Sequence, residues 1–301
     1  MELIRCENLT KKYGSLLALN DVNLTIKAGR PVALVGPNGA GKTTLMSVIS
    51  GFISASKGSV TVCGEAPGHN SIKRKLSVLP QDALFDPNFS VGSQLTLYAK
   101  LRGVKNPKIE VQRVLEQVQM QDRIKSKPTD LSHGMRKRLL IAQALLGQPE
   151  IILLDEPTAG IDPPNAKLIR DLIAAESDNT TFVVSSHNLD ELEKVCDSVV
   201  QLVSGSVVSH SNISDAISEQ GFLTLQADED AGQFIESTAG LIRVSQNQHK
   251  EFIVEFDAVN YPQFHIAMLQ HLADNNIRYK RLINGRTLEE KMYSTDKTDR
   301  F

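Results

Sequence analysis

Cysteine is scarce in this chain of 301 residues. Cys6, Cys63 and Cys196 stand far apart and show none of the paired spacings that hold zinc. They read as reduced thiols of a cytosolic protein, which excludes a disulfide scaffold. No apolar run approaches the roughly 20 residues that cross a bilayer. The longest, Leu139 to Leu146, spans about two helical turns and reads as a core helix. Any membrane role is therefore expected to be borrowed from another chain. Met1-Glu2-Leu3-Ile4-Arg5-Cys6 lacks the basic-then-apolar order of a secretory leader. A net charge of −2 gives no reason to expect a nucleic-acid partner. There is no internal repeat and no low-complexity tract. What remains is an ordinary globular composition, 41% hydrophobic and 23% charged, over a length that suits one large domain and a smaller one.

Against these absences stands one dense motif. Gly36-Pro37-Asn38-Gly39-Ala40-Gly41-Lys42-Thr43 matches G-x-x-x-x-G-K-[ST] in full. The glycines let the backbone curl so that successive N–H groups face a phosphate. Lys42 brings a positive charge to the β- and γ-phosphates, and the Thr43 hydroxyl is placed to ligate Mg²⁺. The apolar run Arg30 to Val35 suits a buried parallel strand. Thr44 onward begins a helix whose N-terminus faces the anion. Residues Gly36 to Thr44 are thus expected to grip a nucleoside triphosphate.

The pattern around this loop is that of a wound α/β sheet. Ile4–Leu9 and Asp21–Ile26 alternate with period two, with Tyr13-Gly14 in the turn between them. Gly58–Gly64 and Leu76–Gln81 read as short strands. From Val91 to Leu146 the periodicity turns helical, with Val111, Val114, Leu115 and Val118 on one face; a helical insertion over about 84–146 is expected. Ile151–Leu154 is a buried strand ending in Asp155-Glu156, Lys167–Ile173 an amphipathic helix, and Thr181–Ser186 a strand ending at His187. Ser204-Gly205-Ser206 reads as a turn and Ser209 to Ser214 as a loop. Beyond it, Phe222–Gln226, Asp230–Ala239, Leu241–Ser245, Phe252–Phe256, Phe264–Leu272 and Ile277–Ile283 follow in the order β-α-β-β-α-β, the split βαβ or ferredoxin-like pattern. The expected domains are 1–215, an accessory α+β domain over 218–293, and a polar tail over 294–301.

Asp155 leaves a buried strand near the phosphate loop, where a carboxylate can hold Mg²⁺ through its water shell. Glu156 can then polarise the water that attacks the γ-phosphate. Leu131-Ser132-His133-Gly134-Met135 stands 24 residues before Asp155 and opens an apolar helix. It resembles the signature of ATP-binding cassette (ABC) ATPases, and the resemblance covers residues 1 to about 215. The fold it implies is a P-loop core with an N-terminal antiparallel β subdomain and an inserted helical subdomain. Tyr13 matches the aromatic residue that stacks on adenine. Gln81 matches the glutamine that touches Mg²⁺ and the attacking water. Asp162, in Gly160-Ile161-Asp162, resembles the aspartate that reports across a dimer, and His187 the switch histidine on the γ-phosphate. The more frequent signature has glycine at the place of His133 and glutamine at that of Met135. Arg136-Lys137-Arg138 reads as a solvated helix face.

The resemblance implies how the parts work together. Ser132 and Gly134 open a helix and would bind the γ-phosphate of the opposite subunit's ATP. Lys42, His187 and Gln81 would support catalysis, with Glu156 orienting water and Thr43, Gln81 and Asp155 holding Mg²⁺. The implied protein is an ATPase that dimerises around two Mg-ATP and drives a separate integral-membrane permease, with export the expected direction. A homodimer is the expected pairing, at the cytoplasmic face of the inner or plasma membrane. Asp82–Gln94 lies, in the family, near the groove that receives the permease's coupling helix. Gly285–Glu290 resembles the leucine-then-acidic-pair ending of many exporter ATPases. The extension could dimerise, brace the ATPase pair or sense a ligand. The competing reading is a soluble ABC ATPase in assembly or regulatory work without a permease.

Overall fold

A computed structural model gives the architecture. It describes residues 1–186, 192, 195–212, 220–228, 230–247, 250–257 and 260–284. The chain divides into two compact units, Met1–Ser211 and Asn212–Phe301. The predicted His187 and the Gly285–Glu290 ending lie outside the described residues.

In the first unit, β1 (Glu2–Tyr13) and β2 (Leu16–Lys27) pair antiparallel around the Gly14 turn, and β4 (Lys57–Val62) joins the other side of β1. The second sheet holds β5 (Leu76–Leu79), β6 (Ile151–Asp155), β7 (Thr181–Ser185), β3 (Val32–Val35), β8 (Ser198–Val203) and β9 (Ser206–Asn212), in that spatial order. From β5 to β8 the pairings are parallel. Every residue of β3, β6 and β7 is buried. This is why they are largely apolar runs rather than alternating ones: a parallel sheet is covered on both faces. β9 corrects the loop expected from Ser209. The strand runs on to Asn212, and its polar composition is that of an edge strand with solvent on one flank.

Helix α1 (Lys42–Ile49) follows β3 directly, so its N-terminus points along the C-terminal end of that strand. Between β5 and β6 lie α2 (Val91–Leu101), α3 (Pro107–Gln117) and α4 (His133–Leu145). Val111, Val114, Leu115 and Val118 are all buried, as their spacing predicts. Pro107 at the first turn and Glu110 just behind it start α3 in the preferred way. α5 (Pro163–Glu176) connects β6 to β7. Burial pushes the Cys6 and Cys196 thiols up to about 12, so both stay protonated inside the unit.

The second unit contains β10 (Gln220–Ala227), α6 (Ala231–Glu236), β11 (Leu241–Gln246), β12 (Phe252–Asp257), α7 (Phe264–Asp274) and β13 (Tyr279–Asn284). The strands form one antiparallel sheet in the order β11-β12-β10-β13, which is the ferredoxin-like arrangement. Leu223 and Leu225 of β10 meet Ile235, Met268 and Leu272 of the two helices in a core of their own. The Phe256 and Phe264 rings stack in it at 4.6 Å between centroids.

Candidate active site

The phosphate loop turns between β3 and α1. At Gly41, the residue before α1, φ is +103°, and a Cβ there would stand 2.6 Å from the Ala18 carbonyl oxygen. Only glycine meets both demands, backbone and space. Lys42 is buried, and its Nζ donates to the carbonyls of Gly36 at 2.7 Å and Pro37 at 3.2 Å. The ammonium thus closes the loop on itself, facing where phosphate oxygens would replace the carbonyls as acceptors.

The carboxylates arrive from the neighbouring strands. Parallel pairing sets Leu79 beside Leu154 and Asp155 beside Ser185, so β5, β6 and β7 end together. Asp155 accepts from the Thr43 hydroxyl at 2.7 Å, joining β6 to the first turn of α1. On its other oxygen it accepts from the Ser185 hydroxyl. Ser185 also accepts from the backbone N–H of Glu156 at 3.0 Å. Glu156 is buried and holds a left-handed backbone, φ +49°. For a non-glycine residue this is an uncommon, strained conformation of the kind found at functional turns. A cavity of about 400 Å³ joins residues 38–44 to Tyr13, Gln81, Asp155 and Glu156. Lys11 Nζ lies 5.0 Å from the centroid of the Tyr13 ring at its rim.

Ser132, Gly134 and Asp162 do not line this cavity. They gather at the start of α4. Ser132 caps that helix, its hydroxyl oxygen accepting from the Met135 N–H at 3.2 Å. The same hydroxyl keeps its proton to donate elsewhere. A Cβ on Gly134 would meet the Asn165 side chain at 2.6 Å, and Asn165 Nδ2 donates to Asp162 at 2.6 Å. That hydrogen bond, first among several causes, holds the fully exposed Asp162 below its usual pKa. His133 is exposed, with its ring over Gly160.

One residue of this region contradicts the sequence reading. Lys137, taken above for part of a solvated basic face, is only 7% exposed. Its Nζ donates to the Gln81 carbonyl at 2.9 Å. Burial lowers its pKa; the nearby charges of Asp155, Asp82 and Glu156 pull the other way without cancelling the effect. The signal available in sequence was its phase, three residues after Gly134 on one helix face.

A second cavity, of about 290 Å³, opens elsewhere in this unit. Phe52, Ile72, Leu79, Tyr98, Leu101 and Leu140 line it. Phe52 and Leu101 stand 65% and 73% exposed at this site, more than burial-seeking side chains normally tolerate in a cluster. The 86–89 loop is held by Gln94, which accepts from the Asp86 N–H and donates to the Asp86 and Phe89 carbonyls. Phe89 in that loop and Leu84 just before it are exposed.

The sequence profile described as "ABC transporter" matches residues 19–159. The Nod factor export ATP-binding protein I of Cupriavidus pinatubonensis (strain JMP 134 / LMG 1197) is 32% identical over 223 residues, covering 72% of this chain and 69% of that protein. The linearmycin resistance ATP-binding protein LnrL of Bacillus subtilis (strain 168) is 31% identical over 224 residues, covering 73% and 72%. Among solved structures, the ATP-binding subunit of an ABC transporter aligns with a TM-score of 0.65 at 26% identity, over 71% of this chain and 91% of that one. A post-hydrolysis dimer of an ATP-binding cassette bound to ADP and Pi gives 0.63 at 26% identity, over 70% and 99%. Loop, paired carboxylates and these likenesses agree, and the chain belongs to the ABC transporter family as one of its ATP-hydrolysing, ATP-binding subunits.

Proposed function

We propose that this chain is the ATPase subunit of an exporter: two copies close around two Mg-ATP, and their reopening after hydrolysis drives a separate membrane permease. The convergence of the phosphate loop, Gln81, Asp155 and Glu156 on one cavity carries the reading. The export name of the Cupriavidus relative supports the direction. No described helix is long and apolar enough to cross a membrane, which suits a motor attached peripherally, on the cytoplasmic face, through its permease. The cavity bordered by the exposed Phe52 and Leu101 suits a helix of that permease at its mouth.

In this reading Tyr13 stacks on adenine, and residues 36–44 wrap the phosphates with their N–H groups. Lys42 exchanges its carbonyl partners for phosphate oxygens. Thr43 and Asp155 offer hard oxygen donors side by side, a set that fits Mg²⁺, with Gln81 at the same wall. When bound, the ion supplies charge neutralisation on the phosphates. Glu156 orients the attacking water, and His187 contacts the γ-phosphate. Ser132 donates its free proton, and Gly134 its N–H, to the ATP of the second subunit, where Asp162 stands at the contact. ATP then favours the closed pair because only that state engages the γ-phosphate from both sides.

The test has two arms. Glu156→Gln should bind ATP, double its mass in ATP by light scattering, and hydrolyse about 10²–10³-fold more slowly. Hydrolysis at the wild-type rate sinks the assignment of Glu156. The full chain, purified from detergent-solubilised membranes, should bring down a polytopic protein. Recovery alone, or with ribosomes, would favour the permease-free reading.

A further inference from the structure

Lys137 is a buried cation hydrogen-bonded to the Gln81 carbonyl, and the functions above assign it no task. α4 turns an otherwise apolar face inward, through Leu140, Ile141, Ala144 and Leu145. A lysine there costs desolvation that a methionine would not, so its position calls for a partner that uses the charge. It has two kinds. Its Nζ donates at 2.9 Å to the Gln81 carbonyl, at the exit of β5. Its charge also acts on Asp82, Asp155 and Glu156, the residues that leave β5 and β6 side by side. Gln81, Asp155 and Glu156 all face the nucleotide cavity. Lys137 itself stands three residues from Gly134 and five from Ser132, roughly 7.5 Å along the same rigid helix.

We infer that Lys137 is a positioning residue that ties each chain's own ATP site to the signature segment it offers to the other chain's ATP. A shift of the β5 exit, where Gln81 reads the nucleotide, pulls on Nζ. α4 then carries that shift to Ser132 and Gly134. The inference rests on the proposed closed dimer, and the experiment separates the two.

Lys137→Met keeps the unbranched stem as far as Cε but loses the charge and the hydrogen bond; Lys137→Arg keeps both. Each is placed in the full chain, alone and together with Glu156→Gln. With ATP, the single Glu156→Gln variant should be dimeric by light scattering. At the same concentration Lys137→Met/Glu156→Gln should remain monomeric, and Lys137→Arg/Glu156→Gln should return to dimer. A fluorescent ATP analogue should bind all three within about 3-fold. In the otherwise wild-type chain, Lys137→Met should lower kcat by about 10-fold or more with KM within about 3-fold and an unchanged melting temperature. A double variant that dimerises as well as Glu156→Gln overturns the inference. So does an ATP affinity that falls in step with kcat, or an arginine that rescues nothing. If Glu156→Gln itself stays monomeric, the dimer reading fails instead. The kcat of Lys137→Met then decides whether Lys137 orders its own site, and a wild-type value rejects even that.

Discussion

At the scale of single residues, the site is held in shape by groups already engaged with one another. Lys42 rests on loop carbonyls, Thr43 on Asp155, and Asp155 on Ser185. Preorganisation of this kind spares the protein the cost of ordering donors when the phosphate arrives. Gly41 is the tightest link. Gly41→Ala would bring a methyl group to 2.6 Å from the Ala18 carbonyl and 3.0 Å from Leu19, at a φ that alanine resists. Either the loop or β2 must give. We expect ATP affinity to fall by about 10-fold or more, at a strain of roughly 1–3 kcal/mol, while the circular-dichroism spectrum stays the same. Titration with a fluorescent nucleotide would show it, and unchanged affinity would mean that the loop adapts freely.

At the scale of elements, α3 is fastened to the end of α4 by one carboxylate. Glu110 takes two hydrogen bonds from Arg113, at 2.6 and 2.9 Å, and a third from the Gly147 N–H at 2.7 Å. Arg113 in turn donates to the Leu145 carbonyl. Burial raises the Glu110 pKa, but these bonds outweigh it and hold the carboxyl below its usual range. The folded value is therefore lower than the unfolded one. The stabilisation is complete above the ordinary carboxylate pKa and is lost as pH falls through the folded value. Glu110→Gln should cost about 1 kcal/mol near neutral pH and progressively less toward about pH 3. Chemical denaturation at the two pH values would measure the difference. A constant difference would show that packing, not charge, makes the clamp.

Elements also mark how far the chain could be read unaided. The strands of the large sheet were legible because a parallel sheet demands aliphatic runs, and Ile151–Leu154 satisfies nothing else. The phosphate loop was legible because its spacing encodes a backbone shape. Lys137 was misread because three consecutive basic residues look alike by composition, and only its helical phase with Gly134 marks it as the one that turns inward. The strand from Ser206 to Asn212 was missed because an edge strand need not be apolar. The role of Ser185 was hidden by a further fact: a serine at a strand end carries no signal, and only pairing with β6 sets it between Asp155 and Glu156.

At the scale of the whole molecule, the chain has separate cores. The cluster around Leu34, Leu45 and Ile49 belongs to the first unit, and that around Leu225, Phe264 and Met268 to the second. Chains built this way depart from all-or-none unfolding. Calorimetry should resolve two transitions. Met268→Ala, which removes a fully buried side chain from the smaller core, should cost about 2–4 kcal/mol and move only one of them. A single transition shifted as a whole would show that the cores unfold together.

The order of strands has one last consequence, for the chain during synthesis. Thr43 and Asp155 touch, yet 112 residues separate them, and Ser185 comes 30 later still. A nascent chain thus exposes its phosphate loop long before it owns the acids that complete the centre. As domains fold as units behind the ribosome, a half-made chain can hold no finished catalytic centre. The hydrogen-bonded set of Thr43, Asp155 and Ser185 is therefore complete only when β7 has taken its place.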